Sequence, residues 1–277
     1  MVSQEQRRRQ LAREKFLRQQ QRRTQARRKA RVRNSVIASV LGIVVIGSVV
    51  LYTTDVFKGG DDKKTNTAAD VTPSASPTSK APDPCAKPAA GSAKKLSWKK
   101  EPAMTIDTSA KYTMKLATTC GDIDIALKTA AAPHTVNSFN FLAGQGFFDH
   151  TKCHRLTTDG IFVLQCGDPQ GTGMGGPGYT LPDENLKDKS LKGNTYPAGT
   201  VAMANTGQKH TGGSQFFLVY KNSPLPPSYT PFGTVSPAGM KVLQKIAAAG
   251  AQPADPTSGN TAPNATVVIN KATVTKS

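Results

Sequence analysis

Eighteen consecutive residues without a charge, Ser35 to Tyr52, divide this 277-residue chain into parts that cannot share one environment. A helix of that length rises about 27 Å, near the thickness of the hydrocarbon core of a membrane. The β-branched richness of the run would also suit a buried strand, but strands so long are rare. A secretory signal peptide is the other reading. Against it, the basic region ahead is unusually long and no small-x-small cleavage pattern follows. The run predicts an uncleaved transmembrane helix over 35–52, with Tyr52 at the interface.

Charge sets the orientation. Residues 1–33 carry thirteen Arg or Lys against Glu5 and Glu14, so 13 − 2 leaves +11 of the chain's +18 in this block, and 18 − 11 leaves +7 for the rest. So basic a block could bind nucleic acid or an anionic membrane surface. Phe16 is its only aromatic, and it contains no nucleic-acid module, so no specific nucleic-acid partner is expected. Basic residues flank only the N-terminal end of the apolar run, so the tail, 1–34, is assigned to the cytoplasm and everything after Tyr52 to the outside.

Residues 53–103 are rich in Lys, Asp, Thr, Ser, Ala and Pro, with Trp98 and Phe57 the only aromatics. Such a composition buries too little apolar surface to offset the entropy of ordering, and its prolines favour a semi-rigid spacer. A disordered linker is expected here, leaving 104–277 as the folded domain. In that domain Tyr112–Thr118 alternates as a half-buried strand, and Ile123, Ile125 and Leu127 alternate again after Gly121, which is a hairpin signal. Pro133 opens a helical pattern through Val136, Phe139 and Leu142 that ends near Gly144, and Ser236-Pro237 opens a second that ends at Gly250. Short strands are expected near 200–203 and 215–219, and a closing strand over 266–274. Periodicity alone predicts a mainly β domain with two well-separated helices.

Two further segments carry chemistry. One is Cys153-His154-Arg155-Leu156 running on to Phe162-Val163-Leu164-Gln165-Cys166-Gly167-Asp168. The other is Met203-Ala204-Asn205, then Gly213-Ser214-Gln215-Phe216-Phe217, then Pro231-Phe232-Gly233. Together, in order and over roughly residues 112–275, they resemble the cyclophilin family of peptidyl-prolyl cis-trans isomerases. The resemblance implies a closed eight-stranded antiparallel barrel capped by two helices, here preceded by the single transmembrane helix. It implies catalysis by Arg155 and a proline pocket formed by Phe162, Val163, Phe217 and Leu225. Gln165 is expected to bond the substrate carbonyl and orient Arg155. Ala204 and Asn205 are expected to offer backbone groups to an extended peptide, with Gln215 along the groove. His154 matches the family's histidine beside the arginine, and Tyr229 stands where many members have histidine.

The chemistry asked of those residues is simple. An X-Pro bond has a cis form only ~0.5–1 kcal/mol above trans, yet rotation crosses a barrier near 20 kcal/mol that comes from amide resonance. In the twisted state the prolyl nitrogen gains a lone pair, and a fixed guanidinium suits it as a donor. No nucleophile, metal or cofactor is required. His150 and His154 are spaced i, i+4 but lack the companion residues of a metal motif, and Gly171, Gly173, Gly175 and Gly176 lack the Lys-Ser/Thr of a phosphate loop.

The sequence also departs from the family's pattern. The loop between Arg155 and Phe162 is about two residues longer than usual. Cys166 replaces a glycine, and Pro224 stands where many eukaryotic members have a tryptophan that contacts cyclosporin. Four cysteines, Cys85, Cys120, Cys153 and Cys166, all fall on the expected outside, where disulfides persist. Strand alternation puts Cys153 on the arginine's face and Cys166 on the other, which disfavours a 153–166 bridge and favours pairings involving Cys120 or Cys85. The reading is thus of a monomeric, membrane-anchored isomerase acting on proline-containing segments of exported proteins. The alternatives are a catalytically weak module that binds such segments as chaperone or adaptor, and a functional basic tail carrying a passenger domain.

Overall fold

The computed structural model describes residues 82–255 and 260–277. The basic tail, the 35–52 segment and the first part of the expected linker lie outside the described residues. Among those described, no helix is long and apolar enough to cross a membrane.

The domain is one antiparallel sheet of nine strands with two helices and a small two-stranded ribbon. In chain order the sheet strands are β1 (Tyr112–Thr118), β2 (Gly121–Leu127), β3 (Thr151–Lys152), β4 (Arg155–Leu156), β5 (Val163–Cys166), β7 (Thr200–Met203), β8 (Phe216–Val219), β10 (Pro231–Val235) and β11 (Val268–Lys276). The ribbon pairs β6 (Thr195–Tyr196) with β9 (Ser223–Pro224). Across the sheet the order is β3-β11-β1-β2-β10-β7-β8-β5-β4. The two outermost strands, β3 and β4, are separated in the chain by Cys153 and His154 alone, so the sheet curls until its edges meet at that connection. The expected count of eight strands is corrected to nine. No ladder joins β3 to β4 among the described residues, so the edges meet through a covalent connection and not through hydrogen bonds.

Both helices form where their caps and periodicity require. Helix α1 (Pro133–Gly144) begins with Pro at N1 and buries Val136, Phe139 and Leu142. Helix α2 (Pro237–Ala248) is capped by Ser236, whose side chain accepts from the Gly239 N–H at 3.1 Å. Such a cap contributes about 1 kcal/mol. Alternation in β1 turns Met114 and Leu116 inward, and β2 does the same with Ile123 and Ile125; all four are essentially inaccessible to solvent. Phe139 fills the centre, 4.5 Å from the Phe232 ring and 5.2 Å from that of Phe148.

Strands β5, β7 and β8 carry apolar residues on both faces, and this decides where the site lies. Their inward residues, among them Leu164, Phe216, Leu218 and Val201, join the main core. Their outward residues Val163, Phe217, Val219 and Ala202 form a second, smaller cluster with Tyr196. A strand covered on both faces reads as a continuous apolar run, as Phe216-Phe217-Leu218-Val219 does.

Two expectations fail here. Cys153 and Cys166 are bridged, with Cα atoms 4.0 Å apart, alongside a Cys85–Cys120 bridge. Strand alternation holds only if Cys153 continues the arginine's strand. It lies instead in the β3–β4 connection, where the chain turns its side chain into the core beside Cys166. The linker expectation fails from residue 82 onward. Trp98 packs edge-on against Phe141 at 5.1 Å, and the Ala86 N–H donates to the Thr119 carbonyl at 2.8 Å.

Candidate active site

Sheet register assembles the site. Arg155 sits directly opposite Gln165, Gln165 opposite Phe217, and Phe217 opposite Ala202, a row across four adjacent strands. Directly paired residues share a face, so this row and its neighbour Val163 line up on the outer face of the curled sheet. They form the floor and one wall of an open cleft of about 490 Å³, lined also by Ile161, Ala204, Asn205, Leu225 and Tyr229. That volume is in the usual range for a small-ligand site. An adjoining cleft of about 660 Å³ shares Gln165, Ala204 and Asn205 and adds Gln215.

Arg155 is half-buried and held by a train of side-chain amides. Its Nη1 donates to Gln165 Oε1 at 3.1 Å, Gln165 Nε2 donates to Gln215 Oε1 at 2.9 Å, and Gln215 Nε2 donates to the Gly175 carbonyl at 2.8 Å. No carboxylate among the described residues forms an ion pair with the guanidinium. Burial lowers its pKa from the ordinary value, with Tyr229 opposing, but a guanidinium stays protonated in proteins. A cation that is fixed, partly desolvated and free of an anion keeps its remaining donors for a ligand. Gln165 orients it, and no competing charge neutralises it.

Opposite, Phe217, Val163, Leu225 and Tyr229 make an apolar recess, in which the Phe217 and Tyr229 rings meet edge-on at 5.5 Å. Tyr229 is fixed by Tyr196, whose hydroxyl donates to the Tyr229 carbonyl at 2.7 Å and accepts from its N–H at 3.1 Å. Burial pushes the Tyr196 phenol up to about 12, so it stays a neutral donor. At the far edge the Ala204 N–H is used, donating to the Gln215 carbonyl at 2.9 Å. The Asn205 amide is also used, its Nδ2 donating to the Ser228 carbonyl at 2.8 Å. The Ala204 N–H is thus taken up within the domain, while Ala204 and Asn205 both line the cleft.

Two expected site residues lie elsewhere. Phe162 is not in the cleft; its ring meets Tyr220 edge-on at 5.9 Å with Lys221 Nζ 4.5 Å from its centroid. It precedes β5 in the opposite phase to Val163 and Gln165, and the lengthened loop presents Ile161 in its place. His154 is buried beneath the loop that follows Asp168, neither ring nitrogen has a partner among the described residues, and it does not line the cleft. Ile161, Thr172, Gly173, Met174 and Asn260 were missed, since they fall in loops where periodicity gives no face, and Tyr196 was missed because its strand, β6, is only two residues long. Alternation from Val163 back across Phe162 would have found Ile161.

The loop over His154 is built around Asp168. Its carboxylate accepts from the N–H groups of Gln170, Thr172 and Gly173 at 2.7, 2.9 and 2.6 Å. A Cβ on Gly175 would collide with the Asp168 carboxylate, so only glycine fits there. Burial opposes ionisation of Asp168, but these backbone donors outweigh it and lower its pKa. Burial lowers the His154 pKa below 6.5; Asp168 opposes this and Arg155 reinforces it. Both groups therefore weaken the fold in acid. A histidine buried neutral gives its full stability above pH 6.5 and loses it as pH falls toward the folded-state value, and Asp168 acts only below its ordinary 3.8. Urea midpoints are expected to fall as the pH drops below about 6.5, and His154→Asn should flatten that part of the curve. An unchanged slope in the variant would assign the acid lability to other groups.

Comparison with known proteins supplies the lineage. The cyclophilin type peptidyl-prolyl cis-trans isomerase model matches residues 113–274. A probable peptidyl-prolyl cis-trans isomerase B of Mycobacterium leprae is 50% identical over 149 residues, covering 51% of this chain and 50% of its own length. Peptidyl-prolyl cis-trans isomerase B of Bacillus subtilis is 45% identical over 115 residues, covering 41% of this chain and 76% of its own. A solved cyclophilin type isomerase of Cryptosporidium parvum aligns with 60% of this chain and 99% of its own at 26% identity, with a TM-score of 0.48. The chain spans about half the length of the mycobacterial relatives it matches. With the family model covering well over half of its residues, the chain belongs to the cyclophilin-type peptidyl-prolyl cis-trans isomerase family.

Proposed function

We propose that the chain is a peptidyl-prolyl cis-trans isomerase, anchored by residues 35–52 with its domain outside the cytoplasm, acting on proline-containing segments of exported proteins. The observation that carries the activity is the Arg155 guanidinium, held by Gln165 beside an apolar recess and left without a carboxylate. A proline ring seated on Phe217, Val163 and Leu225 brings the prolyl nitrogen toward Arg155. As the bond twists, resonance is lost and the nitrogen becomes a better acceptor. A donor fixed in advance then gains more from the twisted state than from either planar one, which lowers the barrier. Gln165 and the Asn205 backbone hold the peptide on either side of the rotating bond. The bond order is restored on leaving the twisted state, so no group is transferred. The test is whether catalytic amounts of the full chain accelerate X-Pro exchange.

The location rests on the uncharged run, the basic block on one side of it, and the two disulfides, which persist in oxidising compartments. Protease added to intact cells is expected to digest the domain and spare an epitope placed near residue 5. An N-terminal epitope cleaved in unbroken cells would reverse this topology.

A further inference from the structure

Residues 82–103 lie outside the stretch that matches the family model, yet they are fastened to the domain along their length. The Cys85–Cys120 bridge ties one end to the β1–β2 turn, and Lys94 Nζ donates to the Gln145 carbonyl at 3.2 Å beyond α1. At the other end the Trp98 ring packs on Phe141 and Phe147, with centroids 5.1 and 6.0 Å away. From that position the Trp98 backbone N–H donates to the Pro177 carbonyl at 2.8 Å.

The partner of that bond is the loop that walls the substrate cleft. Gly178 has φ +90°, and a Cβ there would collide with Ser97 Oγ and lie 2.7 Å from the Trp98 carbonyl. Arm and loop thus meet backbone against backbone, closer than any side chain would permit. Asp168 holds the first half of the loop, through residues 170–173. The arm holds the second half from outside. Between the two, the Gly175 carbonyl anchors Gln215, which anchors Gln165, which orients Arg155.

We propose that this N-terminal arm is a working part of the active site: Trp98 buttresses the 168–178 loop and thereby fixes the amide train that positions Arg155. Trp98 is a positioning residue and touches no substrate. The proposal rests on the isomerase reading given above.

The test compares the unaltered full chain with Trp98→Ala, Trp98→Phe and, as a control on the same arm, exposed Lys95→Ala. Three quantities are measured well below the melting temperature: kcat/KM on a proline peptide, affinity for that peptide, and amide hydrogen exchange of residues 168–178. Coupling through a packed contact is worth about 3- to 30-fold, and Trp98→Ala is expected to lower kcat/KM by that factor while speeding exchange in the loop. Trp98→Phe should recover to within about threefold, because it keeps an aromatic ring on Phe141 and Phe147. Lys95→Ala should match the unaltered chain. Should Trp98→Ala fail to fold, Gly178→Ala presses on the same contact from the loop side and should give the same paired losses. Unchanged kcat/KM in a folded variant, with or without faster loop exchange, overturns the proposal. If the unaltered chain rotates no X-Pro bond, the isomerase reading fails instead. Peptide affinity and loop exchange then decide the buttress alone, and their constancy in Trp98→Ala would refute it.

Discussion

Arg155→Ala is expected to lower kcat/KM by roughly 100- to 1000-fold while leaving the affinity for a proline peptide within a few-fold, because the guanidinium acts on the twisted state. Arg155→Lys should recover only part of this loss, since an ammonium keeps the charge but not the planar fork that donates to Gln165 and the substrate together. Phe217→Ala should weaken peptide binding, because its ring floors the recess in the planar and twisted states alike. Phe162→Ala should do neither to any large extent, its ring being turned toward Tyr220 and Lys221. Steady-state kinetics beside calorimetric affinities for the four variants would check this pattern. Equal losses in kcat/KM and affinity for Arg155→Ala would recast Arg155 as a binding residue.

Loss of the disulfides is the second large effect. On the chain-entropy model the Cys153–Cys166 bridge, 13 residues apart in sequence, stabilises the fold by about 3 kcal/mol, and Cys85–Cys120, 35 apart, by about 4 kcal/mol. The former also ties the β3–β4 connection to β5, and it sits beside Gln165. Removing it as Cys153→Ala with Cys166→Ala should therefore lower the urea-unfolding free energy by about 3 kcal/mol. A change under about 1 kcal/mol would mean that packing alone holds the β3–β4 connection against β5.

What could be read from residues alone follows local rules. The β1–β2 hairpin declares itself through alternation, both helices through a Pro in the first turn with a Ser cap on α2, and the strands at 200–203 and 216–219 as short apolar runs. The shared face of Arg155 and Gln165 came from the resemblance, and the register places them opposite one another. The failures lie where a residue leaves a regular element. Cys153 looked like an extension of the arginine's strand, and one turn of the chain reversed its facing. Phe162 looked like the pocket phenylalanine, and a longer loop moved Ile161 into that role. The arm at 82–103 looked too polar to fold, because its order comes from a disulfide, Trp98 and backbone bonds to Thr119 and Pro177, partners that local composition does not reveal.

The central claim is that this cleft rotates X-Pro bonds and does not merely hold them. Uncatalysed rotation takes tens of seconds or longer at room temperature. Magnetisation exchange between the cis and trans signals of a proline peptide, recorded with a small molar fraction of the full chain, reads the rotation directly. The account predicts exchange peaks on the sub-second scale that weaken sharply with Arg155→Ala. Peptide signals that shift on binding while cis and trans remain unexchanged would contradict it, and would make the domain a proline-segment binder.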